Sequence, residues 1–143
     1  MSYEWLVFAL LSAIFAALVA IFGKIGLEGI DTNTATMIRA GIMFGFLVLV
    51  ILFTGKFEYF QAIMSNSKAL TYIFLSGLAG ALSWLFYFIA LKLGKVSQVV
   101  PIDRLSVVFA IILAFLVLGE NISLKTAVGV ALVSVGAILV VLG

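Results

Sequence analysis

The sequence predicts an all-α integral membrane protein of five transmembrane helices, and three observations carry that prediction. Of its 143 residues, 66% are hydrophobic and 10% charged, with a mean hydropathy of +1.40, which leaves too little polar surface to cover a water-soluble globule of this size. The apolar residues fall in runs long enough to cross a hydrocarbon core, which takes roughly 20 residues of helix. Short stretches that collect glycines and charges separate the runs.

The first expected span, Trp5–Phe22, ends at Gly23, Lys24 and Gly26. The leader MSYE carries no Lys or Arg, and the run is longer than the apolar core of a signal peptide, so the segment is expected to be retained as a helix. The second span, Thr34–Phe53, follows Asp31 and Asn33, which offer an N-cap. Thr54–Lys68 is the longest polar interruption, and Phe57, Tyr59 and Phe60 within it predict a short amphipathic segment lying along the interface. Lys92, Gly94 and Lys95 divide the third span, Ala69–Leu91, from the fourth, Val96–Leu118. Gly119, Glu120, Asn121 and Ser123 then precede the fifth, Thr126–Leu142. No connection is long enough to mark a second domain, so residues 1–143 read as one transmembrane domain.

Composition also narrows function. The chain has no cysteine and no histidine, which removes disulfides, thiolate chemistry and the usual imidazole metal sites. No phosphate-binding glycine loop, zinc motif or nucleophile elbow occurs, so neither an enzyme nor a resident cofactor or metal is expected. A net charge of +2 dispersed among loops does not suit nucleic-acid binding.

The charges inside the spans carry the functional reading. After Arg104, fourteen residues (105–118) remain before Gly119, and after Arg39 fourteen (40–53) remain before Thr54. At 1.5 Å per residue that is about 21 Å, short of a core of about 30 Å. Both arginines therefore belong to the outer third of a span. Burying a charge in a span costs up to roughly 2.5–3.5 kcal/mol at its centre, so such residues usually face an interior and have a partner. Asp103 is the carboxylate at matching depth, and the expected arrangement is an Arg39–Asp103 pair with Arg104 left as a net positive charge at the mouth of a cavity. The competing reading of Pro101, Asp103 and Arg104 is a plain helix start, with proline and a carboxylate in the first turn and the arginine reaching the headgroups.

Trp84 lies at a similar depth in the third span, with Tyr87 one turn later on the same face. Such aromatics serve more often as packing or interface anchors. An aromatic wall beside Arg39 or Arg104 would instead hold a cation by its ring face or stack on a flat substrate. Among small residues, Gly41 and Gly45 form a GxxxG step, Ala9, Ala13, Ala16 and Ala20 make a stripe in the first helix, and SGLAG (76–80) thins the third. Gly129 and Gly136 repeat at heptad spacing in the fifth helix, a seam suited to helix packing or to a partner chain.

The stretch FGKIG at the end of the first helix and the run from PIDRLSVV to GAILVV together resemble the EamA domain of the drug/metabolite transporter superfamily. Pro101, the step Leu118, Gly119, Glu120, and the glycines 129 and 136 fall where that domain's last two helices carry them. The chain resembles the branch with one five-helix EamA-type repeat, where most members have two inverted repeats. The resemblance implies a secondary transporter working by alternating access, with the substrate site among helices one to four and the fifth helix as scaffold. The related four-helix multidrug exporters use a carboxylate within the first helix. Here the first span has no acid after Glu4, which makes export of polyaromatic cations less expected, and the net positive vestibule of Arg39 and Arg104 against Asp103 fits an anionic or zwitterionic small-molecule substrate better. A channel, a flippase for a lipid or lipid-linked carrier, and a non-transporting subunit of a hetero-oligomeric complex are the rival readings.

A single repeat supplies half of such a site, so a homodimer in the lipid bilayer is expected. Lys56, Lys68 and Lys125 fall on the side of the N-terminus, and Lys24, Lys92 and Lys95 on the other. Lysines in the loops therefore give no orientation bias. The expectation is a dual-topology, antiparallel dimer, with a parallel dimer as the alternative. The expected location is the cell membrane, multi-pass, which in a prokaryote is the cytoplasmic membrane.

Overall fold

The computed structural model describes residues 3–143; Met1 and Ser2 of the leader lie outside them. The described residues form helices α1 (Glu4–Gly26), α2 (Thr32–Phe53), α3 (Glu58–Met64), α4 (Ser67–Leu93), α5 (Val96–Asp103), α6 (Ser106–Leu118) and α7 (Leu124–Leu142), with no strand among them. Five segments are long and apolar enough to cross a membrane: α1, α2, α4, the continuous stretch Val96–Leu118 formed by α5 and α6, and α7. The chain is a multi-pass membrane protein.

Local chemistry sets most of the ends. Asp31 Oδ1 accepts the Thr34 N–H at 2.8 Å and the Thr34 hydroxyl at 2.9 Å, satisfying a donor that the first turn of α2 leaves open. The two hydrogen bonds, led by the one from the Thr34 backbone, hold the Asp31 carboxyl below its ordinary range. Asn66 Oδ1 takes the Ala69 N–H at 3.0 Å at the start of α4, and Ser123 Oγ takes that of Thr126 at 3.1 Å at the start of α7. Gly119 closes α6 in the left-handed region (φ 69°), a conformation that costs glycine nothing. The long connection contains the short helix α3. Phe57 and Phe60 stack there with centroids 5.7 Å apart, and both rings are exposed.

One sequence alternative is corrected. Pro101 lies inside α5, preceded by five helical residues, so PIDR is the end of a helix and not its start. The helix breaks just after it, where the Leu105 N–H bonds the Ile102 carbonyl and the Val107 N–H the Arg104 carbonyl, the tighter i→i+3 pattern. Asp103 is thus the last residue of α5 and stands three residues before α6. The helix-dipole argument for it largely cancels, because one helix ends and the next begins around the same carboxylate.

The chain divides into two compact units, one of residues up to Lys24 together with Leu93–Gly143, the other of Ile25–Lys92. In the first unit α7 packs on α5 and more lightly on α6. The shielded face of α7 is a stripe of Val130, Ser134, Ala137 and Val141, at the three- and four-residue spacing of one helix face. Lys24 Nζ donates to the Gly94 carbonyl at 2.8 Å within that unit. In the second unit Lys92 Nζ donates to the Ile30 carbonyl, also at 2.8 Å. Among the described residues few apolar side chains are buried, namely Ala20, Leu27, Phe88, Leu91 and Ala137, while rings such as Phe44 and Phe53 stand out from the surface. In water that surface would drive aggregation; in lipid it costs nothing, and packing rests on close contact and polar ties.

Candidate functional site

The site is built in the Ile25–Lys92 unit, between α2 and α4. On α2, Asn33, Thr36, Ala40, Met43 and Leu47 recur every three or four residues and line one side of a groove. On α4 the corresponding face is Gly77, Gly80, Ala81, Trp84 and Leu85. The groove exists because that face of α4 is almost bare for one turn: a Cβ added at Gly77 or at Gly80 would meet no atom within 4 Å. It encloses about 550 Å³, within the usual range for a small-molecule site.

Arg39 and Trp84, expected at one depth, meet at this groove. The Arg39 Cζ lies 3.5 Å from the centroid of the Trp84 ring and 5.3 Å from that of Phe88, both within cation–π range. Trp84 is itself braced edge-on by Tyr87 and by Phe88, each at 5.7 Å between centroids. Phe88 is buried and Arg39 half-buried. The guanidinium is therefore held against a ring whose own orientation is fixed by two further rings. Tyr87 does not line the groove; it supports Trp84 from the side.

At the polar end the Thr36 hydroxyl donates to the Thr32 carbonyl at 2.7 Å. With its proton used there, Thr36 offers only an acceptor to the groove. Asn33 offers both an amide donor and a carbonyl acceptor. Phe88 and Thr36 were not singled out from the sequence, although Phe88 stands four residues after Trp84, which puts both rings on one helix face.

The remaining expected site residues lie elsewhere. Asp103, half-buried, and Arg104, exposed, belong to the other unit, so the Arg39–Asp103 pair stays an expectation. Gly41 and Gly45 lie on α2 away from the groove face, and Gly129 and Gly136 are exposed on α7; a Cβ at any of the four would meet nothing within 4 Å. Among the described residues no group of three or more Asp or Glu is positioned to hold a metal ion.

A model of the EamA-like transporter family matches residues 4–142. The chain belongs to this family. It is 41% identical over 139 residues to a protein of Sinorhizobium sp described as an uncharacterized transporter in the cobO 3' region, with 97% of each chain covered. It is 30% identical over 134 residues to an uncharacterized protein of Methanocaldococcus jannaschii, covering 94% of this chain and 93% of that one. No solved structure matches the chain significantly. Family and relative together make this EamA-like protein a membrane transporter.

Proposed function

We propose that this EamA-like chain is a secondary transporter working by alternating access on a small anionic or zwitterionic metabolite, as a homodimer of single repeats. The observation that carries the reading is Arg39 stacked on Trp84 at the polar end of an α2/α4 groove. Stacking uses the face of the guanidinium and leaves its edge, where the five N–H donors lie, for a planar acceptor such as a carboxylate. The same contact argues against a cationic substrate, because the ring face that would attract one is taken by the protein's own cation. A second reading, a flippase for a lipid or lipid-linked carrier, is favoured by the apolar half of the groove around Met43, Phe44 and Leu47.

The test is counterflow in proteoliposomes preloaded with a panel of anionic, zwitterionic and cationic metabolites. Saturable exchange of an anion or zwitterion supports the carrier. Large single-channel currents without counterflow would make the protein a pore, and exchange confined to cations would overturn the charge argument.

A further inference from the structure

We infer that the α2/α4 groove takes an amphipathic monoanion, a single carboxylate-like head at Arg39 joined to one apolar body that lies along the groove towards Leu47. The inference rests on the anion reading above and narrows its substrate class.

The groove changes character along its length. Its lining on α2 runs from Asn33, Thr36 and Arg39 to Met43, Phe44 and Leu47, so every polar group is at one end. From Arg39 to Leu47 is eight residues, or about 12 Å of helix at 1.5 Å per residue. A small hydrophilic metabolite held at Arg39 would leave that stretch filled by nothing of its own. An apolar body of medium length would cover it, gaining the burial that hydrophilic metabolites forgo.

The opposite wall supports the same occupant. Gly77 and Gly80 clear the space facing the apolar half, and Ala81 keeps it clear towards Trp84. Methionine opposite a bare wall suits variable apolar shapes, because its unbranched thioether refills gaps. One positive group and one groove of limited length fit one chain or one fused-ring body, so the source is a free amphiphile and not a bilayer lipid with two acyl chains.

The experiment uses the full chain in zwitterionic-lipid nanodiscs with Trp5→Phe, which leaves Trp84 as the reporter, since the sequence has two tryptophans. Straight-chain alkanesulfonates from ethanesulfonate to dodecanesulfonate are titrated, and binding is read from Trp84 fluorescence. Affinity should rise about threefold to fourfold per methylene and level off near decanesulfonate. Gly80→Leu, and independently Gly77→Leu, should flatten that rise, with helix content by circular dichroism as the folding control. Partition into the lipid is the same for all variants, so only a difference between them counts.

If ethanesulfonate binds through Arg39 but neither the chain-length slope nor its loss on filling the glycine wall appears, the amphiphile inference falls and the anion reading stands. If Arg39→Ala leaves ethanesulfonate binding unchanged, the anion reading falls and the inference with it. Replacing the nanodisc lipid with phosphatidylglycerol should not displace decanesulfonate; displacement would make the anionic lipid the occupant and overturn the assignment to a free ligand.

Discussion

The Arg39–Trp84 contact has a measurable size. Desolvated cation–π pairs contribute roughly 2 kcal/mol and exposed ones about 0.5–1 kcal/mol. Arg39 is half-buried, 3.5 Å from one ring centroid and 5.3 Å from a second, which points to a coupling of about 1–2 kcal/mol with Trp84. The perturbation is a double-mutant cycle of Arg39→Met and Trp84→Leu, followed by reversible unfolding in mixed micelles of dodecyl sulfate with helical circular dichroism as the signal. Trp84→Leu should destabilise the protein by more than the coupling alone, because it also removes the edge contacts to Tyr87 and Phe88, each worth about 0.5–1.5 kcal/mol. Arg39→Met should be close to neutral, since it removes a charge that is costly in a span along with the contact that offsets the cost. The diagnostic quantity is the difference: Trp84→Leu should cost about 1–2 kcal/mol less when Arg39→Met is already present. Equal costs in the two backgrounds would show that the ring does not hold the arginine, and the geometry of the site would need another explanation.

Three further outcomes are expected. Asp31→Ala should lower the melting temperature at neutral pH. Because the folded carboxyl titrates below its ordinary value of 3.8, this advantage over the alanine variant should be full above that value and vanish as pH falls through the lower folded value, whereas Asp31→Asn, which keeps a capping acceptor, should show no such pH dependence; a gap that widens in acid would contradict the cap. Gly136→Leu should weaken dimerisation by about 1–3 kcal/mol through overpacking and more than Gly41→Leu does, as read by subunit exchange between labelled micelles, with helix content by circular dichroism as the folding control; the reverse order would move the seam to α2. In a chain that has no native cysteine, a single cysteine at Ser2 should be about half labelled by an impermeant maleimide on intact cells if both orientations are populated, and complete labelling or complete protection would remove the antiparallel dimer.

The spans were legible because length and hydropathy decide them, and the charge-bearing connections mark where they stop. Their ends were less so. Gly23 and Lys24, expected as terminators, lie inside α1, which runs on to Gly26; a helical glycine costs only about 1 kcal/mol and a lysine in the last turn is favourable. The break after Asp103 was hidden because the residues on both sides, Val96–Leu118, look like one apolar run, and proline in sequence reads equally as a start or an interior residue. Depth counting placed Arg39 and Trp84 at one level, and the two side chains lie in contact, 3.5 Å from Cζ to ring centroid. In sequence a charge in a span suggests a countercharge first and a ring face second; the ring face is the contact seen at Arg39, while the pairing with Asp103 stays an expectation. The groove itself rests on absent side chains at Gly77 and Gly80, and a missing wall is visible only once the facing helix is in place.

Counterflow by the Arg39 variants reports on whether this guanidinium holds the substrate. Wild-type protein, Arg39→Ala and Arg39→Lys are compared in proteoliposomes with whichever anion or zwitterion the wild type exchanges. Losing the edge donors at a half-buried anion contact should slow exchange by about thirtyfold or more in Arg39→Ala, while Arg39→Lys should recover part of it, keeping the charge but not the planar fork. A folded Arg39→Ala protein that exchanges substrate at the wild-type rate would show that Arg39 does not bind it.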